Sequence, residues 1–172
     1  MTAESWDAAA DAYAEERARC TDDCLDAQYA VVLARKNAIA ADALPRPKPD
    51  ETPPLPPRVK ALVDSLDEYV KMAPPSDPDV FDMKFLAANA LNSWHQDDAI
   101  ARLEELLRTH RNEASAEYIA NMLIEALVRT NRIPELKVWV TELLADSAFL
   151  AGKDALRSTL ETLRAQIAES GQ

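Results

Sequence analysis

The sequence predicts an all-α protein, built as an array of antiparallel helical hairpins. A small/large apolar register recurs along it: Leu62, Leu66 and Tyr69 followed by Pro74, then Ala99, Leu103 and Leu106, then Leu136, Val140 and Leu143. The three sets begin 37 positions apart at each step. A period of this length marks helix pairs that bury their apolar faces only by stacking on neighbours. The 172 residues include two glycines and much alanine and leucine, which favours helix and leaves hairpin turns without their usual residues. Runs of β-branched and aromatic residues at strand spacing are missing.

The first helix is expected over 3–19, with Trp6, Ala9, Ala10, Tyr13 and Ala14 on one face. Cys20 and Cys24 flank Thr21-Asp22-Asp23, a helix-breaking tripeptide. A turn there can bring the thiols within disulfide reach, which would suit an oxidising compartment; two reduced thiols are the other reading. The second helix starts from Asp22 or Asp23 as N-cap and runs to about Ala43, burying Leu25, Tyr29, Val32, Leu33 and Ile39.

Residues 44–57 hold seven of the eleven prolines. Proline lacks the N–H and bars its predecessor from the α region, so this stretch is an extended, polyproline-like connection. It is either a loop inserted between two helices or a segment that docks in a partner's groove. Pro57 opens a helix over 58–73 with Val59, Leu62, Val63, Leu66, Tyr69 and Val70 inward. Pro74-Pro75 ends it. Ser76 or Asp77 as N-cap, with Pro78 at the first turn, starts a helix over 78–94. Further helices follow over 97–110, 113–130 after Asn112, 134–145 after the turn Asn131-Arg132-Ile133-Pro134, and 152–169. The last of these, with Leu156, Leu160, Leu163 and Ile167 on one face, suits a terminal cap, so 148–170 is assigned as a capping segment.

The hairpin register resembles the tetratricopeptide repeat. In that family the second helix of each pair carries a small residue, then large apolar residues four and seven positions on, and often a closing proline. Ala99/Leu103/Leu106 fits, although Arg111 stands where the proline would be. Leu62/Leu66/Tyr69/Pro74 fits with leucine in place of the small residue, and Leu136/Val140/Leu143 fits more loosely. The resemblance implies a right-handed α-α superhelix, a TPR-like solenoid of about eight antiparallel helices, and one TPR-like domain over 1–172. Residues 3–19 resemble a second helix without its first, as in a piece of a longer repeat protein. The stretch Glu117–Leu127, with Ile133–Trp139 and Leu143–Asp146, is similar to envelope-associated tetratricopeptide proteins of myxobacteria, some belonging to gliding-motility or outer-membrane assemblies. That likeness implies a scaffold module of the cell envelope, periplasmic or outer-membrane-associated. A cytoplasmic regulatory module attached to a catalytic domain elsewhere is the alternative. The first residues, Met1 to Trp6, show neither a basic n-region nor an apolar h-region.

The family groove is lined by the first helix of each pair. Carried over, the phase assigns Phe81, Lys84, Leu91 and Asn92 in one unit and Tyr118, Asn121, Glu125 and Arg129 in the next, with Ala88 and Val128 beside them. Amides and a guanidinium would hold the backbone or carboxylate of an extended peptide, and the rings would supply area. The expected partner is another protein, or more repeats of the same parent chain.

Other classes fit poorly. Nineteen basic against thirty acidic residues give a net charge of −11, whereas nucleic-acid binding needs a basic stripe. The acidic surface reads as solubility. No run of about 18 apolar residues exists to cross a membrane. With glycines only at 152 and 171, no phosphate cradle is legible. His95 reads as a turn residue and His110 as a partner of a helix C-terminus. With two cysteines and two distant histidines, neither a metal site nor a cofactor is implied, and no nucleophile–base set suggests an enzyme. Asp97 and Asp98 read as first-turn acids, Glu104 and Arg108 as a helix ion pair, and Trp139 as packing rather than a ligand platform.

Overall fold

The structure is a computed structural model and describes residues 1–22, 24–48 and 51–170. Asp23, Pro49, Asp50, Gly171 and Gln172 lie outside the described residues, so the cap role of Asp23 and part of the proline-rich stretch do too. Among those described there are eight α-helices and no strand: α1 (Ala3–Arg19), α2 (Cys24–Asp42), α3 (Pro57–Met72), α4 (Val80–Ser93), α5 (Asp98–Thr109), α6 (Ala116–Arg129), α7 (Ile133–Ala145) and α8 (Asp154–Ser170). None is long and apolar enough to cross a membrane. The chain divides into two compact units, Met1–Ala99 and Ile100–Gln172.

In the first unit, α1 packs on α2, α2 on α3 and α3 on α4. Helix α2 is buried on two sides. Val31 and Ala34 meet Ala10 of α1, with Trp6, Ala9 and Ala14 partly buried around them. Val32 joins Leu62, Val63, Leu66 and Tyr69 of α3 and Met83, Ala87 and Leu91 of α4. Two expected core residues lie outside. Leu33 is 42 % exposed because it falls on the arc of α2 left between these two faces, and Tyr13 is 40 % exposed, outside the seam of Ala10, Val31 and Ala34.

Helix directions follow from contact spacing. Asp7 of α1 accepts a hydrogen bond from Arg58 of α3 at 2.8 Å, and Arg17 of α1 lies 3.9 Å from Glu68 of α3. Both pairs are 51 residues apart, so α1 and α3 run parallel. Arg58 also reaches Asp42 at 2.7 Å and lies 3.9 Å from Glu4. Hydrogen bonds to Asp7 and Asp42 hold its proton more firmly than usual. Asp42 ends α2, where a carboxylate opposes the helix dipole, and Arg58 offsets that. The buried Gln28 joins three helices: its Oε1 accepts from Arg17 of α1 at 2.7 Å, and its Nε2 donates to the Ser65 carbonyl of α3 at 2.6 Å.

The second unit repeats the device. Trp139 of α7 is fully buried and donates its indole N–H to Glu104 of α5 at 2.7 Å. Arg108 lies over the Trp139 ring, 4.5 Å from its centroid. Glu104 and Arg108, expected to pair with one another, thus both turn to the indole. Arg111 bonds Asp146 at 2.9 Å and also binds Glu142. The Glu104–Trp139 and Arg111–Asp146 pairs are each 35 residues apart, so α5 and α7 are parallel as well. The contact spacing is two short of the 37 read from the sequence. Helix α8 lays Leu156 and Leu160 inward and leaves the opposite side exposed.

Two helices end alike. After α4 and α6, His95 and Asn131 adopt positive φ of 56° and 54°. The two turns match: Gln96 N–H reaches the Leu91 carbonyl and Arg132 N–H the Leu127 carbonyl, while His95 and Asn131 donate to Asn92 and Val128. Both are Schellman caps. Ala43, after α2, has φ 47°. Two helices start later than expected. Helix α4 begins at Val80 because Asp77 closes a turn before it, accepting from Asp79 N–H at 2.9 Å and from the Tyr69 hydroxyl at 3.2 Å. Helix α6 begins at Ala116 after turns in which Glu113 and Ala116 donate to the His110 and Glu113 carbonyls.

Two outcomes test this description. Ala43→Gly relieves a left-handed alanine and is expected to raise stability by about 1 kcal/mol in chemical denaturation. Hydrogen bonds from the Phe149 N–H and then from Arg111 hold the Asp146 carboxyl below its usual range. The unfolded chain therefore binds more protons there, and the contribution is present above the unfolded pKa of about 3.9 and lost as pH falls through the folded value. Asp146→Asn is expected to lower stability at neutral pH and to flatten the acid limb of a stability–pH curve below about pH 4.

Candidate functional site

Helix α6 is the most deeply buried element of the second unit. Ala116, Ile119, Ala120, Met122, Leu123, Ile124, Ala126 and Leu127 are all in its core. What remains is one narrow stripe. Tyr118 is 55 % exposed and Val128 47 %; Glu125 is exposed, and Asn121 and Arg129 are half-buried. At 3.6 residues per turn these five fall within about 100° of arc. Asn121 turns its amide back on its own helix, donating to the Glu117 carbonyl at 3.1 Å. The stripe offers an aromatic face and a branched aliphatic residue beside a carboxylate.

The α4 residues behave differently. Phe81, Lys84 and Asn92 are half-buried, and Phe81 stacks on Phe85 with centroids 6.3 Å apart. Leu91, assigned to the groove, is buried in the first unit's core, and so is Ala88. The groove assignment of Leu91 is therefore corrected. Met83, Ala87 and Leu91 form an i, i+4, i+8 row that packs on α3, and this row takes Leu91 out of the expected stripe. A helix apolar on nearly every side gives its sequence pattern no phase to distinguish these faces.

The proline-rich stretch is anchored at its C-terminal part. The Glu51 carbonyl lies 2.6 Å from His95 Nδ1, and the Pro53 carbonyl accepts from Gln96 Nε2 at 3.0 Å. Leu55 packs against the first unit's core. Leu44 and Arg46, at the start of the stretch, help to wall a chamber of about 280 Å³ bounded by α2, α3 and the end of α4. A more open furrow of about 420 Å³ lies between α1 and α3, floored by Gln28, Val31 and Arg35 of α2. Arg35 there holds Asp7 at 3.4 Å and Asp11 at 2.8 Å. Sequence reasoning singled out neither Gln28 nor Arg35, since both lie in α2, where the proline-rich stretch breaks the repeat phase. Glutamine on the inward arc of an apolar helix is the signal that was available for Gln28.

Cys20 and Cys24 are joined as a disulfide, Cα atoms 5.6 Å apart, across the α1–α2 turn. Among the described residues no three His, Cys, Asp or Glu side chains are grouped to hold a metal ion.

The stripe on α6 carries little of the fold. Tyr118→Ala and Val128→Ala are each expected to change stability by no more than about 0.5 kcal/mol, whereas Leu127→Ala, one residue away in the core, should cost about 2–5 kcal/mol. Urea denaturation of the three variants checks this. Comparison with known proteins finds no matching family model, no matching curated protein and no matching solved structure.

Proposed function

We propose that this chain is a protein–protein interaction scaffold, a TPR-like solenoid module that receives another protein or an extended peptide on the exposed face of α6. The observation that carries the reading is the stripe itself. A helix with eight buried residues keeps Tyr118 and Val128 in water, although burying either would be worth about 1.5–3 kcal/mol. Exposed rings and aliphatics on a rigid helix are the usual anchors of a partner. The parallel pairs α1/α3 and α5/α7 and the matched caps at His95 and Asn131 support stacked hairpins. On this reading Phe81, Lys84 and Asn92 belong to the same function one repeat earlier, and α8 caps the array.

The Cys20–Cys24 disulfide supports an oxidising compartment, and with it a place in a cell-envelope assembly. Two tests separate the parts of this reading. Immobilised protein should retain a discrete partner from envelope extract, and Tyr118→Asp with Val128→Asp should abolish that retention without loss of helicity; undiminished capture by the double variant removes α6 as the contact. Thiol titration of freshly isolated native protein should find no free thiol; two free thiols would move the proposal to the cytoplasmic regulatory module.

A further inference from the structure

The chamber beside the proline-rich stretch has its own chemistry, independent of the α6 stripe. Ile39, Ala40, Ala43 and Leu44 come from the end of α2 and the chain after it, Val59 and Leu62 from α3, and Ala90, Ser93 and Trp94 from the end of α4. Arg46 is the single charged residue among those lining it. Two described acids near it in sequence are engaged elsewhere: Asp42 holds Arg58, and Glu51 holds Lys48 at 3.3 Å. Among the described residues Arg46 therefore meets no carboxylate, in a chain whose net charge is −11. Apolar walls, one guanidinium, one hydroxyl and one indole make a lopsided set. A cation or a neutral polar molecule gains little from it.

We propose that this chamber binds a small monocarboxylate with a compact apolar body, the carboxylate on Arg46 and the body against Leu62, Ala90 and Trp94. A guanidinium fork matches a carboxylate in two parallel hydrogen bonds, and one cation balances one negative charge. The size follows from the volume. A cavity of about 150 Å³ accepts benzene, so the 280 Å³ here suits a chain of roughly eight carbons or a fused ring pair. Ile39, Ala40, Val59, Leu62, Ala90 and Trp94 stand on α2, α3 and α4 or at their ends, so most of the wall is preformed.

The test is a titration of the whole isotope-labelled protein with octanoate, octan-1-ol and octylammonium, followed by NMR. Octanoate should move the Trp94 indole resonance and the amides of Ala40, Ala43 and Ala90, while the Trp6 and Trp139 indoles stay in place. Octylammonium should leave all of them unmoved. Arg46→Gln, at an exposed position that should not disturb folding, should weaken octanoate by at least ~10-fold and leave octanol unchanged. Absent or scattered shifts, equal binding of octylammonium, or unchanged affinity in Arg46→Gln would each overturn the site. So would a retained protein partner that moves the Trp94 indole when octanoate does not, because the chamber would then be a socket for that partner's side chain. Failure of the α6 capture experiment leaves this one unaffected, since Tyr118 and Val128 take no part in it.

Discussion

Helix α2 has apolar residues on two sides, and no isolated hairpin can bury both. Val31 and Ala34 require α1, while Val32 requires α3 and α4. A helix of this length is marginal alone in water, and most of its stability comes from packing. The first unit therefore cannot be shortened to a pair. Removing α1 would expose one seam and removing α3 the other. Helix α6 carries the same demand further, with its apolar residues spread around all but one stripe.

Apolar burial holds the helices together without deciding which turn meets which. The polar contacts supply that choice. Gln28 fixes α2 against both neighbours at once, and a buried amide left without its partners would cost about 1–3 kcal/mol. Trp139 does the same between α7 and α5, capped at its N–H by Glu104 and on its face by Arg108. The ion pairs around Arg58 and Arg111 are partly solvated, and such pairs add little to stability. Asp7–Arg58 shares its spacing of 51 with Arg17–Glu68, and Arg111–Asp146 its spacing of 35 with Glu104–Trp139, so each marks one register along a parallel pair.

The middle of every helix was legible from apolar spacing, proline and the scarcity of glycine, because those signals are local. The beginnings of α4 and α6 were not. Asp77 was recognised as a capping residue, but it caps a turn closed through Asp79 and Tyr69, and Tyr69 lies one helix back. Leu33, Tyr13 and Leu91 were misplaced for a related reason. Each lies at the edge of an apolar arc, and whether an edge is covered depends on how close the next helix comes. On the candidate surface, Tyr118 and Val128 could be assigned from repeat phase, whereas the chamber at Arg46 depends on where a loop settles, and no periodicity encodes that.

The proline-rich stretch alters the count of residues without altering the stacking. Contacts between α1 and α3 are 51 residues apart, against 35 between α5 and α7, and removing the fourteen residues 44–57 would bring 51 down to 37. Closing a longer loop costs only about 0.6 kcal/mol per doubling of its length. A stretch tied down at three points and decoupled from helix register is thus open to rewriting: its length and side chains can drift while the scaffold beneath stays constant, so new molecular preferences can arise here without a change of architecture.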